Sequence, residues 1–574
     1  MNTKLWVFTS LLSVACFLSS SYHSADASTE PLITPKNLVY EGAFRIPIGD
    51  FGAPLYSGGF SYGGGVVTYN PANNSLFMSG NIQRKLVGEI SIPIVKIPNS
   101  TTDLSNLNYA KVLQNFSDIT EGNRTNVGLN GASVTGTEVY IGGLLNYGDK
   151  LIGTAFTFYD GSGQAKLSHF KTGLNLGATG DFGGMYAVGT TGASYVSGWM
   201  TKVPSSLQAS LGGPVLTGNG ALSIISRTSY GPSAFAFDPS RLGVDNPVEA
   251  TPLLYYPSTN ATLGPEYGNT SPLFNGTTKI AGITMVNGSR SVLFIGYHGI
   301  GPYNYGQWAA DPVFADTCRA PDDCVTGPKG WPVCVDPAKC ITGRKGLPYD
   351  TDPRCTGAGS DGCYYDPTGM GAKGPHAYPY IYQVWAYDAN DLASVKSGAK
   401  KPWEVMPYAT WALPFPVAPT HLFGGATAYD PASGRIFIVQ PQGDAPDKYN
   451  KMPVVHVFKI DLTSLSLDQA LSKIGVKAML LNGTVVLNNN ADELVMTAKD
   501  RNTISDSTFP TQLANGATYN ITIAKQPDGQ NCTVINGKGT VKSNSDVANI
   551  VLTCTDLPVA TPKAPQNLKG IIVK

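Results

Sequence analysis

Short apolar runs separated by turns of Asn, Asp, Gly and Pro fill the first 460 residues. The phrase is clearest at residues 64–78 and 424–438, which align without a gap. Tyr69 and Phe77 match Tyr429 and Phe437 on either side of Asn70-Pro71-Ala72 and Asp430-Pro431-Ala432. Asn or Asp before Pro opens a turn, and a later Asn or Gly supplies its left-handed residue, so each copy reads as strand, turn, strand. Weaker copies lie at 132–143, 183–198, 234–239 and 282–296. Further apolar runs at 86–92, 381–387 and 454–460 predict additional strands. The run at 38–46 precedes the first full copy and is placed to fill the last unit and close the array. After Ile460 the period changes. Leu465, Leu467, Ala470, Leu471 and Ile474 have helical spacing and predict a linker helix over 464–475. A small β-domain over 477–556 follows.

A repeated antiparallel unit of this kind resembles a β-propeller blade. The resemblance is architectural and spans residues 36–462. It implies an all-β ring of five to seven blades; one large sandwich or an open array of sheets is the alternative. The phrase QPDGQNCTVINGKGTV at 526–541, followed by Cys554, resembles an Ig-like repeat of bacterial exported and surface proteins. That resemblance implies a Cys532–Cys554 disulfide and a spacer or adhesion module. The tail, 557–574, resembles the first strand of a fibronectin type III domain.

An apolar run from Leu5 to Leu18 follows one charge, Lys4, and precedes Ala25-Asp26-Ala27. Run length and the A-x-A site fit a signal peptide over 1–27. The expected location is secreted or cell-surface, periplasmic or extracellular. Lipid anchoring at Cys16 is the weaker alternative, because Ser13-Val14-Ala15-Cys16 has its Leu one place too far upstream. No other run is long enough for a transmembrane span.

Export changes the meaning of the cysteines. Six of the nine, Cys318, Cys324, Cys334, Cys340, Cys355 and Cys363, sit in an insertion at 297–376. Cys318-x5-Cys324 and Cys334-x5-Cys340 are near-copies. These spacings miss the usual zinc and C-x-x-C redox patterns, so disulfides are expected. Sequence leaves their pairing open, with bonds inside each C-x5-C unit plausible. A Gly-, Pro- and Asp-rich insertion buries little apolar surface, and disulfides would supply the missing constraint.

Charged residues are 14% of the chain, and 40 basic residues balance 40 acidic ones. No basic field exists for nucleic acid. The sequence lacks a nucleophile elbow, a zincin motif, a P-loop and an EF-hand loop. Candidate chemistry is confined to rare polar residues at loop–strand junctions: His298, His376, His421 and Asp181. Tyr297, Tyr303, Tyr305, Trp308 and Tyr378 edge the insertion and are candidate ring-stacking ligand contacts. Two readings follow. One is an exported propeller that binds a polymer, glycan or surface protein. The other is an extracellular hydrolase or lyase with its site at the channel mouth. No cofactor is expected, and a divalent metal at these junctions is left open.

Overall fold

The structure is a computed structural model. It describes residues 28–53, 58–81, 85–220, 228–266, 271–301, 303–306, 317–318, 324–326, 332–334, 340–341, 374–413, 415, 426–463, 471–489, 492–499, 501, 504–514, 517–541 and 546–557. His421, Trp308, Cys355, Cys363, the leader at 1–27 and the tail from 558 lie outside the described residues.

Among the described residues, four four-stranded antiparallel sheets, and four antiparallel strands of an eight-stranded sheet, occupy the region up to Ile460. Sheet I holds β2 (Val67–Asn70), β3 (Ser75–Ser79), β4 (Val87–Ser91) and β5 (Val112–Ser117). Sheet II holds β6 (Val139–Tyr147), β7 (Lys150–Thr157), β8 (His169–Gly173) and β9 (Gly183–Tyr186). Sheet III holds β10 (Met200–Lys202), β11 (Val215–Thr217), β12 (Ala234–Phe237) and β13 (Ala250–Leu254). Sheet IV begins with β14 (Lys279–Met285) and β15 (Ser291–Gly299) and resumes with β22 (Tyr380–Asp388) and β23 (Ala409–Ala412). Sheet V holds β24 (Thr427–Asp430), β25 (Arg435–Asp444) and β26 (Met452–Ile460). Its fourth strand is β1 (Leu38–Arg45), paired antiparallel with β26 from Leu38↔Ile460 to Arg45↔Val454.

These strands read as near-continuous apolar runs because both sheet faces are covered. All four residues of β12 are buried, as is all but the first residue of β25. Separate apolar cores fill the spaces between sheets. Phe77 and Val87 meet Leu151 and Phe170 between I and II. Ile152 and Leu145 meet Val215 and Phe235 between II and III. Leu216 and Trp199 meet Phe294 and Trp385 between III and IV. Leu293 and Val384 meet Ile436 and Phe458 between IV and V. Phe437 and Val455 meet Leu76 and Met78 between V and I. The neighbour relations of the first strands also return to their start. β2 touches β6 and β24, β10 touches β6 and β14, and β14 touches β24.

Glycine sets how closely the first strands approach. A methyl group on Gly142 would lie 1.9 Å from the Ser197 carbonyl oxygen, and one on Gly143 2.1 Å from that of Gly198. At Gly282 it would lie 2.1 Å from Thr427 Oγ1. These glycines therefore make room for atoms of the neighbouring sheet.

The insertion leaves sheet IV between β15 and β22. Its described strands are β16 (Asn304–Gly306), β17 (Thr317–Cys318), β18 (Cys324–Thr326), β19 (Pro332–Cys334), β20 (Cys340–Ile341) and β21 (Gly374–His376). β17 pairs with β20 and β18 with β19. This register sets Cys318 opposite Cys340 and Cys324 opposite Cys334, across the two copies and not within each C-x5-C unit.

The linker helix expected over 464–475 is corrected in its described part. Leu471–Ser472 is strand β27, and β28 runs from Ile474 to Met479. Ile474, Val476 and Ala478 are buried while Gly475 and Lys477 are partly exposed, so a two-residue period overrides the helical one. The C-terminal unit continues with β29 (Gly483–Asn489), β30 (Asp492–Ala498), β31 (Ser505–Thr508), β32 (Leu513–Ala514), β33 (Thr518–Lys525), β34 (Gln530–Ile535), β35 (Lys538–Thr540) and β36 (Val547–Asp556). Sheet β30-β29-β33-β35 and the sheet built from β28, β31, β34 and β36 share one apolar core. Cys532 and Cys554 face each other on β34 and β36 and form a disulfide, as the resemblance implied. β36 also bridges the edge of sheet IV at Ala409↔Ala548, and Asn549 Nδ2 donates to the Pro407 carbonyl. Among the described residues no helix is long and apolar enough to cross a membrane.

Candidate functional site

Three of the predicted polar site residues, His298, His376 and Asp181, lie among the described residues. His298 ends β15 and is fully buried; its Nδ1 lies 2.8 Å from Thr278 Oγ1, and its ring meets Trp385 edge-on. Burial lowers its pKa to about 3, so the ring is neutral and built into the core. His376 is also buried, in β21 at the stem of the insertion. Asp181 is exposed in the β8–β9 loop of sheet II. That loop is fixed by Glu121, whose Oε1 accepts from the backbone N–H groups of Gly180, Asp181 and Phe182 at 2.8, 3.1 and 3.2 Å. His298 and His376 are neighbours at the stem of the insertion, where Gly299 packs against Ala377, and Asp181 belongs to sheet II. Burial next to Trp385 and the Glu121 anchor give His298 and Asp181 structural surroundings.

The tyrosines of the insertion edge pack on one another. Tyr297 and Tyr378 both set their rings edge-on to Tyr380, at 6.2 and 6.3 Å, and Tyr303 is buried. Tyr305 is described only through the backbone of β16.

A different cavity, of about 220 Å³, opens where the first strands begin and the second strands end. All five sheets line it. Sheet I supplies Tyr62, Ser79 and Lys85, and sheet II supplies Tyr140, Gly142 and Phe156. Trp199 comes from sheet III, Lys279 and Ile280 from sheet IV, and Pro441 and Gln442 from sheet V. Gly63, Gly65, Gly80 and Gly220 bring bare backbone to the wall. The insertion leaves sheet IV at this same end, since Lys279 pairs with Tyr297 and Gly299 with Tyr380.

The lining combines rings with two ammonium groups. Lys85 is buried, forms an ion pair with Glu138, and sits 4.7 Å over the Tyr140 ring. Tyr140 in turn packs against Phe156 at 5.7 Å. Lys279 starts β14 directly before an apolar run, and burial of its ammonium lowers its pKa to about 8. Among the described residues no carboxylate, histidine or cysteine lines this cavity, and no cluster of metal ligands occurs.

A second cavity of about 290 Å³ lies at the other ends of the same strands, between Tyr69, Asn146, Lys202, Met285 and Tyr429. Val66, Gly143, Leu144, Met200, Ile283 and Thr427 line a narrow waist that shares residues with both. Sequence reasoning missed Lys85, Trp199 and Lys279. The signal for Lys279 was present: a lone charge heads an apolar strand in a chain poor in charge.

No protein-family model matches the sequence, and no curated protein matches it.

Proposed function

We propose that residues 36–462 form a five-bladed β-propeller that binds a carbohydrate polymer, through a chain end or side branch, at the mouth between Tyr62, Tyr140, Trp199 and Lys279. The observation that carries this reading is one cavity lined by all five sheets, where rings and bare glycine backbone adjoin a few polar groups. Ring-bearing ligands bind such sites through stacking and a few convergent hydrogen bonds. The five inter-sheet cores and the closing strand β1 support the propeller.

The apolar leader supports export, and a cross-strand disulfide suits an oxidising compartment. The C-terminal unit is proposed as an Ig-like module that presents the propeller at the cell surface. The hydrolase alternative draws on His298, His376, His421 and Asp181, of which His421 lies outside the described residues. Binding is preferred because the ring-lined five-sheet cavity is the feature that carries the reading.

Trp199→Ala and Tyr140→Ala are expected to weaken retention on the bound polysaccharide by at least about tenfold, the scale of truncating a buried ring at an interface. Affinity electrophoresis against a panel of extracellular polysaccharides measures this. Unchanged mobility of a folded Tyr140→Ala protein on a polymer that retards the wild type would overturn the assignment of the site.

A further inference from the structure

We infer that the five-sheet mouth takes one unit of the carbohydrate chain, and that a second ring platform, Tyr449 beside Tyr62, carries the next unit out over the seam between sheets I and V. This inference rests on the mouth being the saccharide site. It adds the path of the chain and the length that the protein reads.

The mouth is small. Its volume is about 220 Å³, below the ~300 Å³ at which pockets begin to enclose a small ligand whole. A polymer therefore keeps most of itself outside, and the rim decides where it leaves. Three non-glycine residues of this wall have left-handed backbone: Tyr62 at φ 58°, Lys85 at φ 57° and Gln442 at φ 56°. That conformation crowds any Cβ, whereas glycine takes it freely. Residues held this way cluster at ligand sites. All three come from sheets I and V, so they mark one side of the rim. Tyr62 is the informative one, because it is 43% exposed and gains little from packing. A tyrosine stands where glycine would cost the fold less.

The connection from β25 to β26, residues 445–451, lies at the same rim and is tied to Tyr62. The Tyr62 N–H donates to the Lys451 carbonyl at 2.8 Å, and the Lys451 N–H to Ser61 Oγ at 2.9 Å. The Tyr62 hydroxyl donates to the Tyr449 carbonyl at 3.4 Å. Asp447 Oδ1 accepts from the N–H groups of Tyr449 and Asn450, both at 2.8 Å. The loop is thus held in place, yet Tyr449 is 76% exposed. A ring that is fixed but not buried does not serve the core, and its fixed position lowers the cost of stacking a ligand on it. Lys448 Nζ stands 5.6 Å from the centre of that ring. A sugar unit can lay an apolar face on the ring and turn a hydroxyl to the ammonium. A purely apolar occupant would only strip that ammonium of water.

The experiment is isothermal titration of the full chain with β-1,4-linked glucose, β-1,4-linked mannose and α-1,4-linked galacturonate oligomers of one to six units. In the series that binds, affinity is expected to rise about tenfold or more between one unit and three, the scale of engaging one further aromatic anchor, and then to level off. Tyr449→Ala is expected to remove that rise and Tyr449→Trp to keep it. Tyr62→Gly is expected to lose binding at every length while unfolding at a higher temperature than Tyr62→Ala. The reverse order of unfolding temperatures would mean that the side chain serves the fold, and it overturns the inference. Affinity that is independent of length and of Tyr449→Ala, but lost in Tyr140→Ala, overturns the platform and leaves the mouth as the site. A rise with length that survives Tyr449→Ala puts the further units elsewhere and likewise overturns the platform. Dimerisation of the wild type abolished by Tyr449→Ala assigns the ring to a second copy of the chain and overturns it too. Silence of every series overturns the saccharide reading and the platform together.

Discussion

Glu89 shows how a single side chain fixes a repeat. It is fully buried in β4 and accepts from Asn70 Nδ2 at 2.7 Å, Asn73 Nδ2 at 3.0 Å, Ser75 Oγ at 2.5 Å and Gln114 Nε2 at 2.6 Å. Burial alone would raise its pKa, but the hydrogen bonds from Ser75, Gln114, Asn70 and Asn73 outweigh burial and hold it below the ordinary range. The Asn70-Pro71-Ala72-Asn73 turn is thus pinned from beneath by a carboxylate nineteen positions beyond Asn70. Glu89→Gln is expected to destabilise the protein by about 2 kcal/mol, because its amide would turn N–H toward a donor. Urea unfolding of the two proteins side by side measures it, and equal midpoints would remove the network from the account of this turn. The turn itself was legible from Asn-Pro. Its anchor was not, because Glu89 sits in an apolar run and reads like an exposed strand residue. His298 also surprised in its setting: rarity and junction position suggested chemistry, and its ring lies fully buried edge-on to Trp385.

At the scale of elements, the strand–turn–strand grammar was legible wherever strands are long and turns carry Pro. The number of sheets was not. Sheet III has first strands of only three residues, and the insertion splits sheet IV between β15 and β22. The lysine-bearing mouth was also hidden, since it is assembled from a few residues of each of five sheets with no local motif. Gly142 tests the packing behind that mouth. Gly142→Ala is expected to cost about 3 kcal/mol by forcing sheets II and III apart, whereas Gly65→Ala, with only Ser79 Oγ at 3.9 Å, stays within about 0.5 kcal/mol. Thermal unfolding of both variants separates close approach from mere loss of glycine flexibility. The insertion makes its own prediction. Residues directly opposite on an antiparallel pair have Cα atoms about 4.5–5.5 Å apart, inside the range a disulfide spans. Nested bonds Cys318–Cys340 and Cys324–Cys334 are therefore expected in the oxidised protein. Proteolysis without reductant followed by mass spectrometry reads them directly; a Cys318–Cys324 peptide contradicts the register.

For the molecule as a whole, three of the buried histidines, His169, His298 and His456, set a limit on the acid side. His169 joins sheets II and III through Thr217 Oγ1 at 3.1 Å. His456 in sheet V lies between Tyr40 and Gln440, at 3.0 and 2.8 Å, with Phe415 stacked at 4.3 Å. Burial lowers the pKa of both, as of His298, to about 3. In the unfolded chain histidine takes its proton near pH 6.5. Between about pH 6.5 and 3 the unfolded chain therefore holds more protons, and stability falls as pH falls. Above pH 6.5 the contribution is complete. Urea midpoints are expected to be flat from pH 8 to 7 and to drop steadily below 6.5, with His456→Gln flattening the drop by about one proton. A flat profile down to pH 4.5 would contradict the buried neutral rings.

The pairing of Leu38 with Ile460 also orders events in time. The earliest strand to leave the ribosome borders the latest one of sheet V, so no partial chain can complete that sheet. Until Met452–Ile460 has been made, β25 and the waiting N-terminal segment each offer an unsatisfied backbone edge to any neighbouring chain. Synthesis of this protein therefore carries a long interval of exposure to mispairing, and a cell that makes it in quantity needs something to shield those edges until the final strand arrives.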